Sequence, residues 1–421
     1  MWSIHHSAGL LLPSLLWRLE DNRMRILYHH RTASRDGQST HIQEMIFALR
    51  QIGAEVEEAC PTMGADDPLG GSAGWVGKLK AHLPASIYEL AEVAYSLIAY
   101  RRLARKIKAF RPTGIYERYN LYLLAGVWAK RMFGLPLVLE VNAPMALERR
   151  QYGGLSWPRL ADWAEAYVWR NADVILPVTE VLASYMVSLG VRRERIMVIP
   201  NGINADHYRG LPTTAEAKRR LGLGDKLVIG FTGFVREWDR LDRIVRWIAT
   251  QPSSSGVHLL VVGDGPARRE IENCASDLGV SDKVSFTGVV DRKDVPALAM
   301  SFDIALQTAL VPYASPLCLF EYLALGKAIV GPDQPNHHEL LVDRVDAILY
   351  DPQSDKGIEL ALDILLADPA LRERIAAAAP RVIDKKHLTW KAHAGKVVAL
   401  FDSRAKDVSA SARADASGEH A

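Results

Sequence analysis

Two series of short apolar runs with β character alternate along this chain with segments of helical spacing. A strand-like run followed by a helix is a βα unit, and successive βα units pair their strands in a parallel sheet. The first series contains Met24 to His29, Gly114 to Tyr116, Leu137 to Val141 and Val174 to Val178. The second contains Leu227 to Thr232, Val257 to Val262, Val284 to Phe286, Ile304 to Gln307, Ala328 to Val330 and Ala347 to Tyr350. The pattern predicts an α/β protein with two Rossmann-like domains, each built on a parallel sheet.

A turn signal marks the boundary between the two series. Pro200-Asn201-Gly202 follows the strand-like run Ile196 to Ile199, so we expect domains over residues 24–202 and 203–385. Residues 1–23 are interpreted as an extension outside the fold, because Pro13 interrupts their apolar patch and no convincing signal peptide results. Residues 402–421 consist mainly of Ala, Ser, Asp and Arg, and this composition predicts a disordered tail.

Composition excludes several classes of protein. A net charge of +2 over 421 residues gives no indication of bulk nucleic-acid binding. Cys60, Cys274 and Cys318 are widely spaced and form neither a CxxC pair nor a Cys/His cluster. We therefore predict no disulfide framework and no metal site, and the cytoplasm is the expected location. No apolar run reaches the roughly 18 to 20 residues that a transmembrane helix needs.

The segment with the clearest chemical content runs from Ser315 to Lys327 and follows a predicted strand. Its sequence predicts a helix that Ser315 caps, that Pro316 opens and that Gly326 ends. Such a helix begins at the carboxyl end of a strand, where free amides and the helix dipole favour a phosphate. Glu321 lies among apolar residues in mid-helix. It either hydrogen-bonds ribose hydroxyls or lies on a solvated helix face.

This segment resembles a motif of glycosyltransferase family 4, the retaining GT-B enzymes, and the resemblance extends from Met24 to about Leu400. Family members carry two Glu separated by seven residues; Glu321 matches the second, and Tyr313 stands at the first. The form Ser-Pro-Leu-x-Leu-Phe-Glu-Tyr is similar to an exopolysaccharide-type subgroup. The resemblance implies two facing Rossmann-like domains, with the nucleotide sugar on the C-terminal one and the acceptor on the N-terminal one. It also implies a closing helix over residues 386–401 that crosses back to the first domain.

The resemblance implies a set of binding residues. Similar sequences occur at Gly230 to Phe234, Gly263 to Pro266 and Phe286 to Gly288, and in the N-terminal half at Tyr116 to Tyr119 and Glu140 to Pro144. The implied donor-binding residues are Gly37, Gly233, Gly263, Gly288, Val289, Ser315, Pro316, Leu317 and Glu321. The implied acceptor-binding residues are Arg118 and Tyr119.

The chain departs from the family where members usually supply cations to the leaving diphosphate. When the chain is aligned with the family on Gly233, it has Phe234 and Asp239 where members have an Arg and a Lys. Arg236 is the first substitute, ahead of Arg240 and Arg243, and the alternative is that Arg236 is an exposed loop cation without a role. Cys318 replaces a Lys of the subgroup and is expected to be a small packed residue.

A second departure concerns the strand that faces the reacting sugar in the family. Asn142 stands where many members have a His, and Glu140 lies two residues earlier on the same strand face. Arg236, Asn142 and Glu140 are thus the candidate catalytic residues. Glu140 either acts as a base or orients Arg118 within a polar network.

Residues 75–111 combine many Lys and Arg with aliphatic and aromatic residues, and their only acidic residues are Glu89 and Glu92. This pattern is typical of a helix that lies on an anionic membrane. A solvated helix face is the alternative.

The function predicted by the resemblance is a retaining, metal-independent hexosyltransferase of polysaccharide biosynthesis. It uses a nucleotide diphosphate sugar as co-substrate, needs no cofactor and transfers to a saccharide or lipid-linked saccharide. The expected location is the cytoplasm, peripheral to the inner face of the plasma membrane. Two alternatives remain. The departures at Tyr313, Phe234, Asp239 and Cys318 indicate a degenerate nucleotide-binding or scaffold protein, and the same fold also suits a nucleotide-sugar epimerase or hydrolase.

Overall fold

A computed structural model describes residues 23–32, 37–61, 84–308 and 310–418, with the backbone alone at Gly37, Ala85 and 405–418. Most of the N-terminal extension predicted from the sequence lies outside these ranges. The chain divides into two compact units. The N-terminal unit contains the described residues up to Val178, Leu182–Ile199 and the chain from Lys391 onward. The C-terminal unit contains Thr179–Val181 and Pro200–Trp390, whereas the sequence predicted a boundary after Gly202.

The N-terminal unit is built on a five-stranded parallel sheet in the order β2-β1-β3-β4-β5. Its strands are β1 Arg25–His29, β2 Glu55–Ala59, β3 Gly114–Arg118, β4 Leu137–Val141 and β5 Val174–Pro177. Its helices are α1 Gly37–Gln51, α2 Ala85–Phe110, α3 Ala125–Phe133, α4 Met145–Tyr152 and α5 Pro158–Asn171, followed by α6 Glu180–Ser188 from its third residue on. The alternation of strand and helix predicted from the sequence is confirmed.

Strand β2 was not among the predicted strands. Its sequence, Glu-Val-Glu-Glu-Ala, contains three carboxylates, and only Val56 and Ala59 are buried. An edge strand has one neighbour and can keep charged side chains in water, so it lacks the apolar run that marks a central strand.

The C-terminal unit is built on a six-stranded parallel sheet in the order β11-β10-β9-β6-β7-β8. Its strands are β6 Leu227–Thr232, β7 Val257–Val262, β8 Val284–Phe286, β9 Ile304–Leu306, β10 Ala328–Pro332 and β11 Ala347–Tyr350. Its helices are α7 Thr214–Arg220, α8 Leu241–Thr250, α9 Arg268–Asp277, α10 Val295–Ala299, α11 Leu317–Ala324, α12 Pro335–His338, α13 Gly357–Ala367 and α14 Pro369–Lys386.

Both faces of this sheet are covered by apolar side chains. Alternate residues of one strand belong to two separate buried clusters: Ile229 and Phe231 to one, Val228 to the other. A strand that buries both faces must be apolar at every position, which is why the sequence shows continuous runs here. The predicted fold class of two parallel-sheet α/β domains is confirmed.

Helix α15, Trp390–Gly418, closes the described chain. From Lys391 on it belongs to the N-terminal unit, where the Phe401 ring is buried against Gly114 of β3. The sequence predicted disorder from Asp402, but the backbone remains helical to Gly418. The segment is rich in Ala, the residue with the highest helix propensity, so a composition with little to bury still supports a helix.

Gly114 has no room for a side chain, and this predicts a selective loss of stability. A Cβ at Gly114 would lie 2.3 Å from the Phe401 ring, whereas a Cβ at Gly395 of the same helix meets nothing within 4 Å. Gly114→Ala should lower the free energy of unfolding by about 1 to 3 kcal/mol. Gly395→Ala should raise it by roughly 0.5 to 1 kcal/mol, because Ala is the better helix former. Urea denaturation measures both, and an unchanged midpoint for Gly114→Ala would contradict the packing of α15.

Candidate functional site

The strand order of the C-terminal sheet creates a crevice. Strands β6 and β9 are neighbours, with β7 and β8 on one side and β10 and β11 on the other. The connections therefore leave in opposite directions at this point, and open α/β sheets bind ligands beyond the carboxyl ends of such strands. We call the ends of β6 and β9 and the first turn of α11 the switch-point site.

Two glycine turns form the β6 side of this site. Gly233 and Gly263 have φ values of 144° and 146°, which favour glycine. A Cβ at Gly263 would lie 2.0 Å from the Gly233 carbonyl oxygen. The Val235 amide donates to the Asp264 carbonyl at 3.0 Å. The loops after β6 and β7 are thus packed backbone to backbone, and this packing leaves no room for a side chain at Gly263. The predicted contact of Gly233 and Gly263 with the donor stays a prediction.

The first turn of α11 differs from the prediction in its cap. The helix begins at Leu317, Pro316 occupies the N-cap position, and no side chain caps the helix. The Ser315 hydroxyl instead accepts a hydrogen bond from the Asn201 amide at 3.0 Å. Ser315 therefore anchors the turn, because Pro316 fixes a backbone that directs the hydroxyl away from the helix amides. Gly326 adopts the predicted left-handed conformation after the helix, with φ of 61°.

Glu321 is buried in α11, with 5% of its surface exposed, so the solvated-face alternative is wrong. Its carboxylate accepts a hydrogen bond from Arg292, which lies in the loop after β8. Burial raises the pKa of Glu321, and the Arg292 charge partly opposes this rise. The sequence pattern does not indicate Arg292, because a half-exposed loop arginine has no motif of its own.

The loop after β8 brings backbone groups to the same edge of the sheet. Gly288 has φ of 71°, and the Thr287 hydroxyl accepts from the Gly263 amide at 3.2 Å. Val289 is 83% exposed, although it is apolar. The predicted contact of Gly288 and Val289 with the donor stays a prediction.

Buried polar groups surround the β9 side of the switch-point site. The Nε2 group of Gln307 and both ring nitrogens of His337 have no hydrogen-bond partner in the described part of the chain. Both side chains flank Gly331 of β10. Buried polar groups are normally paired, so these atoms indicate a polar ligand. Burial and the neighbouring His338 lower the pKa of His337 to about 4, so its ring is neutral near pH 7.

Cys318 is the packed residue that the sequence predicts. Its thiol donates to the Gln307 Oε1 atom at 3.2 Å. Burial, followed by the charge of Glu321, raises the pKa of Cys318 to about 12. It therefore supplies neither a cation nor a reactive thiolate.

Arg236 lies exposed in the loop after β6 between two aromatic rings. Its guanidinium lies 5.2 Å from the centre of the Phe234 ring and 4.9 Å from that of Trp238. Asp239 is buried and accepts from the Arg236 backbone amide at 2.8 Å. The departure at Phe234 thus provides a stacking partner for Arg236, whereas Asp239 shapes the loop.

Glu140 is the centre of a buried network at the carboxyl edge of the N-terminal sheet. Its carboxylate contacts Tyr116 Oη at 2.8 Å, His41 Nε2 at 3.0 Å, Asn142 Nδ2 at 2.6 Å and the Arg118 guanidinium. Burial alone would raise the pKa of Glu140, but His41 and Arg118 lower it well below the usual range.

This network bears on the two roles considered for Glu140. A carboxylate with a depressed pKa and several donors is a poor proton acceptor. The geometry therefore favours the alternative in which Glu140 orients Arg118 and Asn142, and it does not support Glu140 as a base. His41 is buried and belongs to the network.

Tyr119 is an implied acceptor-binding residue, but its hydroxyl contacts a buried protein side chain. It is buried, donates to Glu165 at 2.9 Å and packs edge-on against Trp169, with ring centres 5.5 Å apart. Burial raises the pKa of Glu165 to about 7, although Tyr119 and the Ala146 amide hydrogen-bond to it. The β3 strand ends at Arg118, so the chain turns and the next side chain packs beneath α5.

Gly37 is the first residue of α1, directly after residues 33–36, which lie outside the described part of the chain. Its predicted contact with the donor stays a prediction.

Helix α2 carries the basic segment that the sequence singled out, although residues 75–83 lie outside the described ranges. Both of its acidic residues point inward: Glu89 accepts from Tyr122, and Glu92 pairs with Arg31 and Arg149. Its exposed residues share one narrow helical stripe, apolar first and basic later. They are Ile87, Leu90, Leu97, Ile98, Arg101, Arg105 and Lys108, together with the small residues Ala91, Ala94 and Ala109. No helix among the described residues combines the length and the hydropathy that a bilayer span requires.

Comparison with known proteins matches both units. A glycosyl transferase 4-like domain matches residues 36–202, and a glycosyl transferases group 1 domain matches residues 213–382. The chain is 24% identical over 261 residues to the alpha-D-kanosaminyltransferase of Streptomyces kanamyceticus, which covers 59% of this chain and 66% of that protein. It is 27% identical over 372 residues to the D-inositol 3-phosphate glycosyltransferase of Xylanimonas cellulosilytica, with 83% and 87% covered.

A solved structure extends the likeness to the fold of both units. Anabaena Alr3699/HepE in complex with UDP superposes with a TM-score of 0.67 at 17% identity, covering 90% of this chain and 100% of that one. The two domain matches and this likeness agree in the order and the type of domain. The chain therefore combines a glycosyl transferase 4-like domain and a glycosyl transferases group 1 domain in the GT-B fold.

Proposed function

We propose that this protein transfers a hexose, with retention, from a nucleoside diphosphate sugar to a saccharide or lipid-linked saccharide in polysaccharide biosynthesis. The observation that carries the proposal is the first turn of α11 at the β6/β9 switch point, with the buried carboxylate of Glu321 one turn further along the same helix. An uncapped helix end suits a diphosphate, and a buried acceptor suits ribose hydroxyls.

The donor fits the C-terminal unit in a definite order. The diphosphate lies at the amides of Leu317 and Cys318, the ribose at Glu321, and the base against the backbone of Gly288 and Val289. Arg292 keeps an ion pair on Glu321 and so favours the ionised, accepting form of that carboxyl. The unpartnered Gln307 and His337 groups then bind hydroxyls of the hexose.

Transfer depends on orientation and on charge at the leaving diphosphate. Arg236 is the cation of the β6 loop, and its position between Phe234 and Trp238 holds it without a buried ion pair. On the N-terminal unit, Glu140 orients Arg118 and Asn142 toward the acceptor edge of the sheet. No cofactor or metal takes part in this scheme.

A second candidate is a nucleotide-binding protein without turnover. Its support is that Asp239 is buried and that the Cys318 thiol is protonated, so neither replaces the cations of the family. An epimerase or hydrolase is the third candidate.

One assay separates the three candidates. The full chain is incubated with nucleoside diphosphate sugars, uridine donors first, with saccharide and lipid-linked saccharide acceptors. Glycoside formation with retained configuration, read by proton NMR, supports transfer. Free sugar without acceptor indicates hydrolysis, a changed nucleotide sugar indicates epimerisation, and nucleotide binding without any product indicates the degenerate protein.

We further propose that the exposed stripe of α2 docks the protein on an anionic membrane, where a lipid-linked acceptor resides. The stripe puts apolar side chains beside three cations, and Met132 and Phe133 extend a groove of about 680 Å³ next to those cations. Apolar insertion and attraction to lipid phosphates act together on such a surface.

The Glu321 assignment predicts a selective loss of nucleotide affinity. Glu321→Gln keeps the shape of the side chain but removes the charged acceptor, which is worth about 1.5 to 3 kcal/mol. We expect the dissociation constant of the nucleoside diphosphate to rise on the order of 10- to 100-fold in calorimetric titration. Glu373→Gln, an exposed change on α14, is the control. Equal affinities in Glu321→Gln and the wild type would remove the ribose assignment.

The Arg236 assignment predicts a loss of turnover with little loss of donor binding. Arg236→Gln should lower kcat about 100-fold, as removal of a preorganised group at a developing charge does. Arg236→Lys should recover part of this loss, and Arg240→Gln in the same loop should have little effect. If Arg240→Gln and Arg236→Gln reduce kcat equally, the role does not belong to Arg236.

The α2 stripe predicts charge-dependent membrane binding. Each cation near an anionic surface contributes about 1 kcal/mol, so the triple change Arg101→Glu, Arg105→Glu and Lys108→Glu should lower partitioning at least about 100-fold. Co-sedimentation with phosphatidylglycerol and phosphatidylcholine vesicles measures this. The double change Arg219→Glu and Arg220→Glu on α7 is the control. Equal binding of the wild type to both vesicle types would contradict the proposal.

A further inference from the structure

His30, Glu58 and Cys60 meet at the carboxyl ends of β1 and β2. The strand register pairs Tyr28 with Glu58 and His29 with Ala59, and the His30 amide continues the ladder by donating to the Ala59 carbonyl at 3.2 Å. The next pair in this register is His30 and Cys60. Since alternate residues of a strand share one face, His30, Glu58 and Cys60 lie on the same side of the sheet.

The side chains of these residues converge. One ligand atom from each, a ring nitrogen, a carboxylate oxygen and the Sγ atom, lies within 4.8 Å of the other two. The His30 Nε2 and Glu58 Oε2 atoms are 3.6 Å apart, too far for a hydrogen bond. Two ligands of one tetrahedral zinc ion lie about 3.5 Å apart, given zinc bond lengths of about 2.0 to 2.3 Å.

The imidazole of His30 lacks a hydrogen-bond partner. Only 8% of the side chain is exposed, and neither ring nitrogen has a hydrogen-bond partner in the described part of the chain. Buried polar groups are paired in the great majority of cases, and an exception calls for a ligand. A narrow cleft lined by His30, Arg31, Cys60, Tyr95 and Arg102 adjoins the ring.

The surroundings leave the ligands available. An imidazole ring nitrogen binds a metal through its lone pair. Lys106 pairs with Glu57, and Arg31 with Glu92, so these two cations are already compensated. Cys60 binds a metal as the thiolate, so its proton leaves to solvent on binding.

We propose that His30, Glu58 and Cys60 form a binding site for a zinc ion, with a fourth position open toward the adjoining cleft. Nitrogen, carboxylate oxygen and thiolate sulfur are the three ligand types that zinc takes in proteins, and three protein ligands leave one position free. The site is independent of the proposed transfer reaction. The sequence predicted no metal, because 29 residues separate His30 from Cys60 and the strand that brings them together was not recognised.

Cobalt titration tests the site on the full chain, without an affinity tag and in the presence of a phosphine reductant. We expect one equivalent of Co²⁺ to produce thiolate-to-cobalt charge-transfer absorption, and Zn²⁺ to abolish it. Cys60→Ser should remove the absorption, while Cys274→Ser, which changes a thiol of the C-terminal unit, should keep it. Absent absorption in the wild type, or absorption that survives in Cys60→Ser, would overturn the proposal.

A second variant covers the case in which a buried change disturbs folding. Glu58 is partly exposed, so Glu58→Gln should fold normally and keep its metal-free melting temperature. Loss of an outer-shell partner lowers metal affinity by roughly 10-fold or more. Because Glu58 is a direct ligand in this proposal, Glu58→Gln should lower the zinc affinity by more than that. Zinc should raise the melting temperature of the wild type and raise that of Glu58→Gln much less. Equal zinc shifts in the two proteins would exclude Glu58 from the site and contradict the three-ligand assignment.

Discussion

The parallel pairing of every strand is the constraint on which the rest of this structure depends. All carboxyl ends of a parallel sheet lie along one edge, so the loops that follow them are collected there regardless of their distance in sequence. In the C-terminal unit this edge brings together the turn at Gly233, the turn at Gly263 and the first turn of α11. In the N-terminal unit it brings together Arg118, Asn142 and His30. The switch-point site, the Glu140 network and the proposed metal site are consequences of this arrangement.

Buried charge distinguishes the two units. Glu140 is surrounded by donors and keeps a depressed pKa, whereas Glu321 has a single guanidinium partner and a raised one. Removing one partner of a buried ion pair typically costs about 3 to 5 kcal/mol, so loss of Arg118 should destabilise the N-terminal unit. Glu321 retains capacity for further hydrogen bonds, as a ligand-binding acceptor must.

The fold was largely predictable from the sequence, and the side-chain roles were less so. Apolar runs buried on both faces reveal β4 and β7 directly, but β2 keeps its carboxylates in water and has no such run. The capped appearance of Ser315 suggested a helix cap, yet its hydroxyl accepts from Asn201. A residue type that can cap a helix is recognised from the sequence around it. The group that its hydroxyl finally hydrogen-bonds depends on which distant segment packs beside it.

The same dependence on distant segments explains the other contacts that the sequence did not predict. Arg292 and His41 pair with acidic residues far away in sequence, and no local pattern announces such a pair. Tyr119 follows Arg118 directly in sequence. The Tyr119 side chain packs beneath a helix, whereas the Arg118 side chain contacts Glu140 at the sheet edge.

A thermal-shift screen tests whether the folded chain binds a nucleotide-sugar donor. The full chain is melted with UDP, GDP, ADP and CMP and with their common sugar conjugates, since a ligand that binds only the folded state raises the melting temperature. We expect one nucleoside diphosphate and its sugar conjugates to raise the melting temperature clearly more than the others do. No shift with any of them at millimolar concentration would contradict a nucleotide-sugar site at the start of α11.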